Sequence, residues 1–196
     1  KDLAIPSDTS AQIQDMDAEY FLLVEEDGKE GDRAISFNHP YDRTYPASIT
    51  KLMTALVCVS SVENLDQEFV VSGSSVIKEA GSSTAFLQVG ESLSIRNLLY
   101  GMLLPSGNDA AVAVAEATAG SVSTFVDRMN EKALELGCLS SHFTNPHGLP
   151  DDNHYTSPYD IYLILKECMK YDSLREILAT KEIQVQYKDK NGIPKS

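Results

Sequence analysis

The sequence is short of positive charge, and this shortage argues against two classes of partner. Lys and Arg contribute 16 of the 196 residues, Asp and Glu contribute 29, and the formal net charge is −13. Binding to a nucleic acid needs a basic surface that neutralises phosphates, and electrostatic docking on an anionic membrane needs one as well. We therefore expect neither a nucleic acid nor an anionic lipid surface as a partner.

The sequence also lacks long hydrophobic runs, repeats and low-complexity segments. No stretch approaches the roughly 18 consecutive apolar residues of a membrane-spanning helix. The hydrophobic share of 42% and the charged share of 23% are typical of an ordinary globular protein, and the length suffices for a real core. The sequence starts with Lys1 instead of Met, so we expect that a preceding segment was removed.

Cysteine is scarce, and its spacing predicts neither a disulfide framework nor a metal site. The three cysteines, Cys58, Cys138 and Cys168, are odd in number and far apart. Cys58 and Cys168 fall within apolar helical patterns, which predicts buried free thiols. The cysteines alone leave the cellular compartment open.

The sequence Pro-Ala-Ser48-Ile-Thr-Lys51-Leu-Met-Thr pairs a hydroxyl with an amine. The apolar residues over 52–59 predict a mostly buried helix, which Ser48 opens. Ser48 and Lys51 are three positions apart, so their side chains lie on one face and can meet. Burial disfavours the ammonium form, which allows a lysine to lose its proton near neutral pH. Such a pair is an activated nucleophile: serine attacks and lysine takes its proton.

A Ser-x-x-Lys spacing alone is weak evidence, because it also arises by chance. Ser75 and Lys78 have the same spacing, but they follow the loop-like residues 72–74. The helical context favours Ser48.

Ser106 and Asn108 stand between two predicted apolar helices, one capped by Ser94 and one over 110–118. The intervening Pro and Gly predict a sharp corner, which we expect to project both side chains outward. A plain interhelical loop is the alternative. The same Ser-x-Asn spacing at Ser36 lies in a strand pattern.

The remaining segments favour a mixed α+β chain. We predict strands at 19–25 (buried), 34–38 and 182–187, an Asn-Gly turn at 191–192, and helices over 122–136, 158–169 and 173–179. The acidic run 25–32 has the wrong spacing for a calcium loop and predicts a solvated hairpin turn. The loop 138–156 carries three histidines without the spacing of a zinc site, and predicts a structured loop that borders a cleft.

Together, the Ser48–Lys51 segment and Leu-Leu-Pro-Ser106-Gly-Asn108-Asp-Ala-Ala resemble the D-alanyl-D-alanine carboxypeptidases, the low-molecular-weight penicillin-binding proteins of bacterial cell walls. The segment Phe143-Thr-Asn-Pro-His-Gly-Leu149 resembles a loop of that family. The resemblance implies a β-lactamase/transpeptidase-like α+β fold, in which 1–196 is an incomplete catalytic domain and about 60–170 is mainly helical. It implies no cofactor and no metal.

The resemblance also implies a role for each motif residue. Ser48 resembles the nucleophile, Lys51 its base, Ser106 the hydroxyl that relays a proton to the leaving D-alanine, and Asn108 the amide that orients peptide and lysine. The implied partners are stem peptides of peptidoglycan that end in D-Ala-D-Ala, with β-lactams as covalent inhibitors. The implied location is the cell envelope outside the cytoplasm, with membrane attachment only through a tail outside this sequence.

The family's third motif, Lys-Thr-Gly, does not occur in the sequence, and residues 192–196 only approximate it. We therefore expect a chain that stops before this motif and is inactive alone. Two alternatives stay open. One is a class A β-lactamase, although the loop 138–156 lacks the glutamate which that class needs. The other is a binding remnant that recognises wall peptide without processing it.

Overall fold

The computed structural model describes Leu3 and residues 17–26, 31–77 and 81–196. Within these ranges the chain forms six α-helices and two small antiparallel sheets. The helices are Thr50–Ser61 (α1), Ile95–Leu103 (α2), Asn108–Ala119 (α3), Val122–Leu136 (α4), Pro158–Cys168 (α5) and Asp172–Ala179 (α6).

Helix α1 lies at the centre of the helical core. Eight of its twelve residues are buried, because apolar side chains occur on nearly every face of the helix. It packs against all five other helices. A helix held on all sides keeps its first turn in a fixed position, and that turn carries Lys51.

The helix ends follow the capping chemistry of the sequence. Ser94, Ser121 and Ser157 each accept a hydrogen bond from a backbone N–H in the first turn of α2, α4 and α5. Helix α4 ends at Gly137, whose φ of +80° suits a residue without a Cβ.

The first sheet is the hairpin of Phe21–Glu25 (β1) and Arg33–Asn38 (β2), with a register shift at Leu23. The expectation of a buried first strand is wrong: Leu23 is 42% exposed. Strand β1 packs on α5, and the face that carries Leu23 is open to solvent. The predicted turn lies partly outside the described residues, which omit 27–30.

The second sheet has the order Glu68–Val70 (β3), Ser92–Ser94 (β4), Tyr187–Lys188 (β5) and Pro194–Lys195 (β6). The strand predicted over 182–187 is wrong for most of its length. Strand β4 is only three residues long, and it pairs with β5 through Ser92 and Lys188 alone. The predicted turn at 191–192 is present, with Gly192 at a φ of +79°.

The three cysteines, Cys58, Cys138 and Cys168, are buried free thiols, which confirms the prediction made for two of them. Burial is the main cause that raises the pKa of the Cys58 thiol to about 11. Among the residues that the structure describes, no helix has both the length and the hydropathy to cross a bilayer.

Candidate active site

Ser48 lies in a short 3-10 turn, Ala47–Ile49, that leads directly into α1. Helix α1 therefore starts at Thr50, two residues later than the sequence suggested, but the expected contact between the Ser48 and Lys51 side chains is present. Ser48 Oγ and Lys51 Nζ are 3.1 Å apart. Ala47, immediately before the serine, has a φ of +47°, a left-handed conformation that is uncommon for a residue with a side chain. The Ser48 side chain thus stands at the surface while Lys51 points inward.

The corner between α2 and α3 brings a second hydroxyl to the same point. Ser106 donates a hydrogen bond to Ser48 Oγ over 2.9 Å. Its φ is +61°, and a strained backbone of this kind is found preferentially at functional sites. The next residue is Gly107, and a side chain does not fit at this position, because a Cβ there would lie 2.7 Å from the Gly101 carbonyl oxygen.

Asn108 lies in a different environment from the one expected. The sequence suggested that the corner projects this side chain outward, but Asn108 is only 5% exposed. Helix α3 begins at Asn108 itself, two residues earlier than predicted, and packs this turn against α1. The burial directs the amide towards the lysine: Lys51 Nζ donates to Asn108 Oδ1 over 2.7 Å.

Lys51 has three hydrogen-bond acceptors and is only 2% exposed. They are Ser48 Oγ, Asn108 Oδ1 and the carbonyl oxygen of His147, the last at 2.9 Å. Burial lowers the pKa of Lys51 to about 8, and the negative charge of Asp109 opposes the shift. The amine thus loses its proton close to physiological pH.

The acceptors also fix where the lone pair of a neutral Lys51 points. A neutral amine has two N–H donors and one lone pair. The oxygens of Asn108 and His147 are carbonyl-type and can only accept, so they take the two donors. The lone pair is left facing the Ser48 hydroxyl, which is the one partner that can donate a proton.

The part played by the His147 carbonyl was not predicted, since a backbone oxygen leaves no trace in a sequence. The loop that carries it is fastened to α1 by Thr54, whose hydroxyl donates to the Pro146 carbonyl over 2.6 Å. Gly148 packs directly on the turn that carries Ser48: a Cβ at this position would lie 1.8 Å from the Ala47 carbonyl oxygen. The only signal in the sequence was the likeness of residues 143–149 to a family loop.

Four side chains from two segments, Ser48 with Lys51 and Ser106 with Asn108, thus meet around Ser48 Oγ and Lys51 Nζ, and a third segment adds the His147 carbonyl oxygen. Against known proteins, the family model described as D-alanyl-D-alanine carboxypeptidase, Peptidase_S11, matches residues 7–194. The chain belongs to this family.

Curated members of the carboxypeptidase family match over most of the chain. The D-alanyl-D-alanine carboxypeptidase DacF of Bacillus subtilis is 39% identical over 143 residues, which is 72% of this chain and 37% of the relative. DacA of Escherichia coli K12 is 34% identical over 162 residues, or 78% of this chain and 39% of the relative. The chain therefore spans about two fifths of the length of these two relatives.

Solved structures confirm the predicted β-lactamase/transpeptidase-like α+β fold. The Streptomyces K15 DD-transpeptidase superposes with a TM-score of 0.83 at 30% identity, over 90% of this chain and 70% of that one. Penicillin binding protein 6B from Escherichia coli gives a TM-score of 0.72 at 30% identity, over 83% and 52% of the two chains.

In this carboxypeptidase-family chain two of the three histidines of the loop 138–156, His142 and His154, have separate partners. His154 is buried, its Nδ1 accepts from the Thr144 N–H over 3.0 Å, and its Nε2 lies 2.8 Å from Thr50 Oγ1. A backbone N–H can only donate, so the proton of His154 is on Nε2 and binds Thr50. Burial lowers the pKa of His154 to about 4. His142 contacts the Asn153 carbonyl oxygen instead.

The two look-alike motifs lie away from this site. Ser75 is buried and donates to Glu116 on α3, and Lys78 lies outside the described residues. Ser36 lies in β2. Across the described ranges, no group of three or more His, Cys, Asp or Glu side chains is placed to hold a metal ion.

Proposed function

We propose that this protein is a serine D-Ala-D-Ala carboxypeptidase that trims peptidoglycan stem peptides through an acyl-enzyme. The observation that carries the proposal is the continuous set of contacts from Asn108 through Lys51 and Ser48 to Ser106. It supplies a nucleophile, a base and a second proton-carrying hydroxyl around one exposed oxygen. Membership of the carboxypeptidase family supports the same reaction.

Acylation starts from the neutral form of Lys51. The lysine accepts the proton of Ser48 as Oγ attacks the carbonyl carbon of the penultimate D-alanine. The tetrahedral intermediate then collapses, the C–N bond breaks, and the leaving amine of the terminal D-alanine must gain a proton. The Ser106 hydroxyl, which contacts Ser48 Oγ over 2.9 Å, donates its proton to this amine. Ser106 regains a proton from the ammonium group of Lys51, since both groups contact Ser48 Oγ.

Deacylation reverses the proton path. Lys51, again neutral, takes a proton from a water molecule that attacks the ester, and Ser48 is regenerated. A β-lactam enters the same path but keeps its leaving nitrogen within the opened ring. No leaving group departs, and a long-lived penicilloyl ester on Ser48 follows.

The substrate defines the place of action. Stem peptides that end in D-Ala-D-Ala belong to the cell wall, so we infer that the protein is exported and acts in the envelope, where trimming contributes to wall maturation and cell shape. The class A β-lactamase alternative needs a glutamate in the loop 138–156 to activate the deacylating water. That loop contains Asp151 and Asp152 but no glutamate.

Benzylpenicillin provides a direct test on the complete product of the gene. Trypsin cleaves after Arg43 and Lys51, so it releases residues 44–51 with Ser48 as their one serine. We expect mass spectrometry to find one penicilloyl group on this peptide, fragmentation to place it on Ser48, and a D-Ala-D-Ala peptide to lose one D-alanine. Labelling of a different peptide, or hydrolysis of the penicillin with no ester accumulating, would contradict the proposal.

The pH dependence of acylation follows from the lowered pKa of Lys51. The lysine must be neutral to accept the Ser48 proton, so below about pH 8 the acylation rate should rise tenfold per pH unit and then level off above it. Stopped-flow measurement with a chromogenic β-lactam between pH 6 and 10 gives this profile. A rate that does not change over this range would show that Lys51 is not the base.

A further inference from the structure

Asp109 is a buried carboxylate that contacts no cation among the described residues. It is 3% exposed and lies in the first turn of α3, next to Asn108. Its two oxygens accept from four donors: the Thr84 hydroxyl at 2.6 Å and the backbone N–H groups of Ala85, Leu87 and Ala110 at 2.8, 2.9 and 2.8 Å. Three of these donors belong to one loop. We call this loop, residues 81–88, the strap.

The strap fixes Asn108 at two atoms. The Asn108 backbone N–H donates to the Ser83 carbonyl oxygen over 2.9 Å, and its side-chain Nδ2 donates to Ser82 Oγ over 2.7 Å. Because Nδ2 is bound to the strap, the other end of the amide, Oδ1, must face Lys51. Without Ser82, the Asn108 amide has no such constraint. Its NH₂ group can then rotate towards the ammonium group of Lys51, and the two sets of N–H donors repel each other.

We propose that Asp109 is a positioning residue for the Ser48 reaction: its carboxylate fastens the strap over Asn108 and thereby fixes the amide that holds Lys51. Asp109 touches none of the reacting groups itself. This inference rests on the proposed function, since it assigns a role in the same proton transfer. It adds Asp109 to the residues of the proposed mechanism, and Asp109 acts on Lys51 through the strap and Asn108.

Only a carboxylate fits this position. All four partners are donors, and an amide offers one oxygen and places two N–H groups among them. The negative charge of Asp109 has a second consequence: it favours the ammonium form of Lys51. Among the described residues, the other titratable group beside Lys51 is His147, whose pKa is lowered to about 4 by burial, by Lys51 and by His154, so it is uncharged while Lys51 titrates.

Asp109→Asn tests the inference, with Asp160→Asn as its matched control. Asp160 is also 3% exposed in the first turn of a helix, and it accepts from Ser140 and Ser141, away from the strap. We expect Asp109→Asn to lower the acylation rate of the complete gene product by about 10²-fold, the loss typical of a catalytic group displaced by about 1 Å. Asp160→Asn should keep the wild-type rate per folded molecule.

The titration of Lys51 provides a readout that does not depend on acylation. NMR of protein with ¹³C-labelled lysine follows Lys51, whose signal is identified by its absence in Lys51→Met. We expect the titration midpoint to fall below that of wild type in Asp109→Asn and to stay in place in Asp160→Asn. An unchanged midpoint in Asp109→Asn overturns the inference. A wild-type protein that titrates as expected but is not acylated contradicts the proposed function alone.

Ser82→Ala tests the strap without touching the charge, and it serves where Asp109→Asn does not fold. It should slow acylation, because Asn108 loses the contact that sets its orientation. Ser82→Ala and Asp109→Asn act through the same amide, so their combined loss should be smaller than the product of the two. A Ser82→Ala protein with the wild-type rate, or losses that multiply fully, overturns the inference.

Discussion

Replacement of Lys51 with methionine is expected to slow the acylation of Ser48 by about 10⁴-fold, the upper end of what a positioned general base contributes. Methionine has nearly the length of lysine but no lone pair that can take a proton. The remaining neighbours of Ser48 do not replace it, because the Ser106 hydroxyl is a far weaker base than an amine. Single-turnover acylation by a chromogenic β-lactam, followed over hours, measures the residual rate.

The same variant should fold almost as stably as wild type, which separates chemistry from folding. The pKa of Lys51 is lower in the folded chain than the usual 10.5, so at pH 7 its ammonium form favours unfolding by about 3 kcal/mol. Methionine removes this cost. It also leaves the oxygens of Asn108 and His147 without a donor, at about 1–3 kcal/mol each. The two effects nearly cancel, and we expect similar melting temperatures.

Lys170→Met is the matched control for this substitution. Lys170 is exposed and pairs with Glu167 on the surface, and such pairs contribute little to stability. Its acylation rate should equal that of wild type. A Lys51→Met protein that melts normally and acylates within tenfold of wild type would show that another group removes the Ser48 proton.

The sequence predicted best the features that depend on local chemistry. A serine at a helix N-terminus satisfies an N–H three residues away, and a glycine at the C-terminus adopts a left-handed φ. Neither requirement involves the rest of the fold. For this reason the predicted cap of α2, Ser94, was located correctly, and α4 has the predicted bounds 122–136 between its caps Ser121 and Gly137. The contact of Ser48 with Lys51 was predictable on the same basis, since it spans one helical turn.

The features that depend on distant segments were not predictable. The alternating pattern at 182–187 suits a strand, but a strand forms only where a neighbouring strand pairs with it, and β4 pairs with this part of the chain only through Ser92 and Lys188. The carbonyl of Gln186 binds the Asn97 side chain instead. Asn108 was expected to project outward because its sequence neighbourhood is a corner. The packing of α3 on α1 decides its burial, and no local pattern encodes that packing.

The contacts of the strap and of the His147 carbonyl could not be predicted from the sequence either. Each acts mainly through backbone atoms, which every residue has. What the sequence does show is glycine at the points where two backbones meet. Gly107 abuts the strap at Ala85, and Gly148 abuts the turn of Ser48 at Ala47. These close approaches mark the places where the loops contact the segments of Asn108 and Ser48, so a methyl group there is a sensitive probe.

Gly148→Ala is expected to lower the free energy of unfolding by about 4 kcal/mol or more, the range reached by a severe clash. The added Cβ would lie 1.8 Å from the Ala47 carbonyl oxygen and 2.9 Å from Thr50 Oγ1, and the φ of +88° disfavours any side chain. The loop can avoid this contact only by moving away from α1. That movement withdraws the His147 carbonyl from Lys51 and shifts Ala47, which directly precedes Ser48. Equilibrium denaturation and the acylation rate measure the two consequences.

Gly137→Ala separates the clash from the backbone strain. Gly137 has a φ of +80°, close to that of Gly148, but a Cβ there meets nothing within 4 Å. It should therefore cost only the penalty of a left-handed alanine, about 1–2 kcal/mol, and leave acylation unchanged. The difference between the two variants isolates the packing of the loop against the Ser48 turn. If both variants lost the same stability, this packing would not hold the turn in place, and the His147 carbonyl would need another support.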